Sequence, residues 1–149
     1  MDYVEAPNSY YGPKPSLFLA GGITGCPDWR KDVIQTLSKL EIALYNPRRE
    51  SFDVKKKYLE NEQIKWEYDN LRKASAILFW FPKESINPIT LYELGAWSMS
   101  SKRLFVGVEP EYARKIDVEV QTKLARPDIN VVYSLKDLSK QVLGWAGNG

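Results

Sequence analysis

The stretch SAILFWF, residues 75–81, is the strongest strand signal in the chain and decides the fold. Its apolar residues run without alternation, which is typical of a parallel strand covered by helices on both faces. Four further runs with strand character are SLFLA (16–20), EIALYNP (41–47), RLFVGVE (103–109) and INVVYS (129–134). The sequence therefore predicts five strands.

Segments with helical spacing separate these strands. Trp29, Val33, Leu37 and Leu40 recur at three- and four-residue intervals after the first strand, which predicts a helix with Pro27 in its first position. A second helix is predicted from about Val54 to Ala74. Alternating strands and helices predict an α/β three-layer sandwich with a five-stranded, mostly parallel, flavodoxin-like sheet of order 2-1-3-4-5. A proline-rich arm over residues 1–15 precedes this single domain, residues 16–149.

Composition excludes several classes of function. A net charge of +2 gives no support for a nucleic-acid or anionic-membrane partner, and no apolar run approaches the length of a membrane span. We therefore expect a soluble, cytoplasmic protein. With no histidine, a Ser-His-Asp triad, a Cys-His pair and His-containing zinc sites are ruled out. No cofactor or metal is expected, and catalysis would depend on carboxylates, tyrosines, lysines or main chain.

In an open parallel sheet, ligands bind beyond the carboxyl ends of the strands. Four loops of this chain follow predicted strands and meet at that edge: GGITG, NPRR, PKESINP and EPEY. The helix ITLYELGAWSMS (89–100) begins there as well, with Asn87 as a good N-cap and Pro88 as a good first residue.

Glu93 is the one acid in that apolar helix. It lies near the helix N-terminus, whose partial positive charge favours the ionised form, so a nucleophilic carboxylate is predicted. The alternative is a solvated glutamate on an exposed helix face.

A second acid is expected on the preceding helix. Glu67 shares the apolar stripe of Ile64 and Leu71, and an inward carboxylate near another would have a raised pKa. Asp69 faces differently and could instead reach the site. Glu67 could equally form a salt bridge with one of three cations, Arg48, Arg49 or Lys65.

Two further features could bind a ligand. The GGITG loop brings main chain close to a sugar, or is a plain tight turn, since it lacks the spacing of dinucleotide and triphosphate sites. Arg48 and Arg49 could hold a phosphate or form a surface pair. Aromatic residues near the edge could stack on a base, and these are Trp66, Trp80, Phe81 and Tyr92.

Five blocks in the same order along the chain resemble the nucleoside 2-deoxyribosyltransferase-like family, in its smaller divergent branch. They are FLAGGITGCPDW, NPRR, QIKWE, ILFWFP and ITLYELG, within about residues 16–110.

The resemblance implies a reaction at the N-glycosidic bond of a nucleoside or nucleotide. Glu93 matches the family's glutamate before leucine-glycine, which attacks C1′ and forms a glycosyl ester. Glu67 or Asp69 is the nearest match to the acid that protonates the leaving base. Asn87 stands where well-studied transferases have an aspartate, and Phe18 where they have a tyrosine. The substrate-binding candidates are Phe18, Gly21, Gly22, Ile23, Asn46, Arg48, Trp66, Phe81, Asn87 and Tyr92.

The resemblance also implies a homo-oligomer in which Tyr112 or the N-terminal arm serves a neighbour. The partners are then a nucleoside or nucleotide and a free nucleobase. Two alternatives to sugar transfer stay open. One is an N-glycoside hydrolase acting on a nucleotide or an NAD-type dinucleotide, favoured by a phosphate pocket with Arg48 or Ser98. The other is a non-catalytic nucleotide-binding module.

Overall fold

A computed structural model describes residues 1–50 and 57–147. The strands are β1 (Asp2–Glu5), β2 (Ser16–Gly21), β3 (Ala43–Asn46), β4 (Ala76–Phe81) and β5 (Arg103–Val108). The helices are α1 (Arg30–Thr36), α2 (Lys57–Lys73), α3 (Pro88–Ser98), α4 (Lys115–Ala125) and α5 (Leu135–Gly147). The predicted start of the second helix near Val54 lies outside the described residues.

The five strands form one parallel sheet of order β1-β3-β2-β4-β5. Helices cover both faces, so the predicted three-layer α/β sandwich is confirmed. The order predicted for the four strands β2 to β5 is also confirmed. Part of the N-terminal arm adds a strand that the prediction lacked, because β1 pairs along β3 from Asp2↔Ala43 to Glu5↔Asn46.

The fifth predicted strand, INVVYS, is reduced to a single bridge between Val132 and Gly107. Two hydrogen bonds make it: Val132 N–H donates to the carbonyl of Val106, and Val108 N–H donates to the carbonyl of Val132. The pairing stops there because the chain turns into α5, whose first turn closes when Leu138 N–H donates to the carbonyl of Ser134.

Two hydrophobic cores lie on the two faces of the sheet, and alternate side chains of each strand pack into one or the other. On β4, Leu78 and Trp80 pack toward α1 and α5, while Phe79 and Phe81 pack toward α2, α3 and α4. All four are at most 4% exposed, and fully burying such a side chain stabilises the fold by about 1.5–3 kcal/mol. A strand buried on both faces explains the unbroken apolar run.

Helix ends set the position of the site. α3 begins at Pro88 after the N-cap Asn87, as predicted. α1 begins at Arg30 instead of Pro27, because the segment before it turns tightly, with Trp29 N–H donating to the carbonyl of Pro27. Among the described residues, no helix combines the length and apolar character needed to cross a membrane.

Candidate active site

A cavity of about 660 Å³ lies between α2 and α3. Two acids line it, Glu67 from α2 and Glu93 from α3. The other residues of its wall are Glu60, Gln63, Ile64, Tyr68, Leu71, Arg72, Ile89, Tyr92, Ala96, Trp97 and Ser100. The two acids that the sequence singled out therefore share one cavity.

Helical spacing explains why both acids face this cavity. Glu67 lies one turn from Gln63 and one turn from Leu71, and all three are part of the wall. Glu93 stands in the same relation to Ile89 and Trp97 on α3.

Burial controls the protonation of the pair. Burial raises the pKa of Glu67 to about 7, against the opposing charges of Arg30 and Arg49. Burial and the charge of Glu67 together raise the pKa of Glu93 to about 8. Loss of hydration and the like charge of Glu67 therefore oppose the effect of the helix N-terminus, which the sequence predicted to favour the ionised form of Glu93.

Asp69 does not line this cavity. Its carboxylate is 2.7 Å from the Nζ of Lys65, one turn earlier on α2, and its side chain is 42% exposed. Among the described residues, Glu67 forms no ion pair within 4 Å. Of the two candidates for the second acid, the structure brings Glu67 and not Asp69 to Glu93.

The GGITG turn packs against the start of α3. A Cβ on Gly22 would lie 2.2 Å from Oδ1 of Asn87 and 2.6 Å from Sγ of Cys26, so only glycine fits. Asn87 is buried, adopts a left-handed conformation (φ 53°), and accepts a hydrogen bond from the Cys26 thiol (3.6 Å). Its side chain caps no N–H of α3, because it faces the turn. Ile23 closes the turn by accepting a hydrogen bond from Cys26 N–H.

The loop after β3 places a cation beside this turn. Asn46 accepts a hydrogen bond from Arg48 N–H (3.0 Å), and Nη1 of Arg48 donates to the carbonyl of Cys26 (3.4 Å). Arg49 instead binds Glu62 and Gln63 at the start of α2. Arg48 is the arginine of this pair that lies at the GGITG turn.

Three of the candidate stacking rings, Trp66, Trp80 and Phe81, lie in the core, and so does the substrate-binding candidate Phe18. Phe18 and Trp66 pack together at 5.9 Å between ring centroids, and Phe81 packs on Tyr112 at 5.2 Å. Each of the four is less than 9% exposed and none lines the cavity of the two acids. Tyr92 differs, because it lies on the cavity wall and is 78% exposed.

Two other residues considered from the sequence have internal partners. The Ser98 hydroxyl donates to the carbonyl of Leu94 (2.6 Å), and the Tyr112 hydroxyl donates to the carbonyl of Ile86. Ser98 lines a separate cavity between α3 and α4 and not the cavity of the acids.

Sequence analysis missed Arg30. This guanidinium is fully buried and binds the main chain where β2 ends, by donating to the carbonyls of Leu19, Gly21 and Gly22. The spacing of Arg30 does indicate burial, because Arg30 precedes Val33 by three residues and Leu37 by seven and so shares the buried face of the first helix.

Two carboxyl groups in one cavity, with pKa values near 7 and 8, suit acid–base work at neutral pH. Between these values the pair holds about one proton. One member can then act as an anion while the other donates its proton, and this division of roles is what cleavage of a glycosidic bond requires.

Comparison with known proteins agrees with this chemistry. No curated protein matches the chain at a significant level. Residues 14–112, about two thirds of the chain, match the family model described as nucleoside 2-deoxyribosyltransferase like. The matched region contains β2 to β5, the GGITG turn and both acids. The chain belongs to the nucleoside 2-deoxyribosyltransferase-like family.

Proposed function

We propose that the protein cleaves the N-glycosidic bond of a nucleoside or deoxynucleoside and transfers the sugar to another nucleobase. In the first step a carboxylate oxygen of Glu93 bonds to C1′ as the bond from C1′ to the base nitrogen breaks. The electron pair of that bond goes to the departing base, which takes a proton from Glu67.

In the second step a ring nitrogen of the incoming base attacks C1′. The ester bond from C1′ to Glu93 breaks, its electron pair returns to the carboxylate, and the proton lost by the incoming base goes to Glu67. Both groups end in their starting states, and the configuration at C1′ is retained after two displacements.

The observation that carries this proposal is the shared cavity of Glu67 and Glu93. A raised pKa lets Glu67 hold a proton near pH 7. Glu93 has the higher pKa of the two in the free protein, so the proton shared by the pair must pass from Glu93 to Glu67 before attack. Positive charge developing on the sugar ring favours the resulting Glu93 anion.

Transfer also requires that water be kept from the ester. Four apolar side chains of the cavity wall are more than half exposed in the single chain, Ile64 (58%), Tyr68 (58%), Ile89 (66%) and Tyr92 (78%). We propose that a second copy of the chain covers them in a homo-oligomer and so completes the dry site.

An N-glycoside hydrolase is the second candidate, with water replacing the incoming base. The exposure of the same wall favours water access, and Arg48 beside the GGITG turn could bind the 5′-phosphate of a nucleotide. In that case Arg48→Gln would raise KM for a nucleoside monophosphate and leave KM for the nucleoside unchanged.

One chromatographic assay separates the candidates. A deoxynucleoside and its monophosphate are each incubated with and without a foreign free base, using wild type and Glu93→Ala. A new nucleoside that wild type forms only with the added base supports transfer, whereas base release regardless of acceptor supports hydrolysis. Binding without turnover across a broad panel would favour a non-catalytic nucleotide-binding module.

A further inference from the structure

Arg30 is a buried charge held entirely by main chain. Its side chain is 0% exposed. Nε and Nη2 both donate to the carbonyl of Leu19 (3.2 and 3.0 Å), Nη2 also to that of Gly21 (3.0 Å), and Nη1 to that of Gly22 (3.1 Å). The guanidinium also lies 4.3 Å from the centre of the Trp29 ring. Every one of these partners is uncharged.

A buried cation without a counterion is costly, so the charges around Arg30 decide its role. Among the described residues, no carboxylate lies within 4 Å of it. Burial lowers the pKa of Arg30 to about 10, and the charges that oppose this effect are, in order, Glu67, Asp28 and Glu93, while Arg48 adds to it. Arg30 therefore stays charged at neutral pH.

Asp28 already has cations of its own. Its Oδ2 is 3.9 Å from Nε of Arg48 and 4.0 Å from Nζ of Lys31. The remaining carboxylates that act on Arg30 are the two acids of the proposed active site. Conversely, Arg30 lowers the pKa of both acids against the larger effect of burial.

The hydrogen bonds of Arg30 also fix the geometry that leads to Glu93. They hold Gly21 and Gly22 at the end of β2, where Gly22 fits against Asn87 with no room for a Cβ. Asn87 is the N-cap of α3, the helix that carries Glu93. One side chain thus connects the glycine turn with the start of α3.

We propose that Arg30 is a positioning residue that supplies the buried positive charge stabilising the carboxylates of Glu67 and Glu93 and holds the GGITG turn against Asn87. The effect of Arg30 on catalysis rests on the proposed function, because a stabilised Glu93 anion matters only for attack on C1′. The effect of Arg30 on the two carboxyl groups is a property of the free protein and holds with or without substrate.

The test is a carboxyl titration by ¹³C NMR on protein labelled at glutamate Cδ, without substrate. Wild type, Arg30→Gln, Arg30→Lys and Arg114→Gln are compared, and Glu67→Gln and Glu93→Gln assign the two signals. Arg114 is exposed on the far side of α3, next to Asp117, so its variant removes the same net charge at a distance.

Arg30→Gln is expected to raise the pKa of both carboxyls by about one unit, within the range seen for loss of a nearby opposite charge. Arg30→Lys should shift them less while moving the amide signals of Gly21 and Gly22, and Arg114→Gln should shift neither carboxyl. Unchanged carboxyl pKa values in Arg30→Gln would overturn the proposal. An inactive wild type that shows the expected shifts would overturn the proposed function alone.

If Arg30→Gln does not fold, the same substitution is made in Glu67→Gln/Glu93→Gln. Folding restored in that background supports the proposal, because the acids then no longer need the charge. Failure to fold in both backgrounds would mean that Arg30 only holds main chain, and the electrostatic assignment would be wrong.

Discussion

Glu67 on α2 and Glu93 on α3 line the same cavity, and the negative charge of Glu67 adds to burial in raising the pKa of Glu93. The two carboxyls are therefore coupled, and the protonation of one changes the chemistry available to the other. This coupling is the basis of the first two predictions.

Glu67→Gln should lower the pKa of Glu93, because the substitution removes the like charge and keeps the size of the side chain. A ¹³C titration of the Glu93 carboxyl measures the change directly. Asp69→Asn is the matched control, since Asp69 pairs with Lys65 at 2.7 Å outside the cavity. This substitution should leave the pKa of Glu93 unchanged. Equal shifts in both variants would show that the coupling is not specific to Glu67.

The same two variants distinguish the candidates for the second acid by rate. Glu67→Gln should lower kcat by about 10²–10⁴-fold, the usual contribution of a general acid. The loss should shrink for a nucleoside whose base leaves without protonation. The kcat of Asp69→Asn should stay within about twofold of the wild-type value. A large loss of kcat in Asp69→Asn would instead identify Asp69 as the second acid. Steady-state kinetics with two leaving bases is sufficient.

Stability should fall as pH rises from about 5 to 8. Both acids have pKa values raised above the ordinary 4.5, so the folded chain holds more protons than the unfolded chain in that window. Their favourable contribution is complete below pH 4.5 and is lost as pH passes 7 and 8. Glu67→Gln/Glu93→Gln should flatten this slope and so become more stable than wild type as pH rises toward 8.

Urea unfolding at several pH values measures the slope. Asp69→Asn/Glu62→Gln is a suitable control, because both carboxylates are more than 40% exposed and paired with cations. A wild-type stability that rises over this window, with the double variant following it, would contradict the raised pKa values.

Gly22→Ala should destabilise the protein by about 1–3 kcal/mol, as overpacking of a tight site does, because the new Cβ would meet Oδ1 of Asn87 at 2.2 Å. Gly144→Ala is the matched control. Nothing lies within 4 Å of a Cβ there, and the position is inside α5, so alanine should stabilise by up to about 1 kcal/mol. Thermal melting of both variants compares their stabilities. A Gly22→Ala protein as stable as wild type would show that the GGITG turn shifts to accommodate the methyl group.

Most of the fold could be predicted because buried strands and helix starts have characteristic local sequences. The unbroken run AILFWF and the pair Asn87-Pro88 gave β4 and the start of α3 directly. β1 was missed because DYVE is a short edge strand with two acids and one buried side chain. INVVYS has strand composition, but the start of α5 limits it to one bridge, and composition does not show where pairing stops.

The candidate site could be predicted only in part. The spacing of Glu67 from Ile64 and Leu71 predicted an inward side chain, and the structure places Glu67 and Glu93 in the wall of one cavity, although Ile64 itself is exposed. Their raised pKa values depend on burial between two helices and on the charge of the neighbouring acid, and neither can be read from the position of Glu93 in its own helix. Trp66, Trp80 and Phe81 were candidates for base stacking, yet their rings fill the core, which sequence position alone does not reveal.

The proposed transfer depends on covalent glycosylation of Glu93. The most direct measurement is intact-protein mass spectrometry, with peptide mapping, after incubation with a 2′-fluorinated nucleoside that slows release of the sugar. We expect a mass increase of one glycosyl group on the peptide containing Glu93 in wild type and no increase in Glu93→Gln. An adduct on another residue, or turnover that persists in Glu93→Gln, would contradict it.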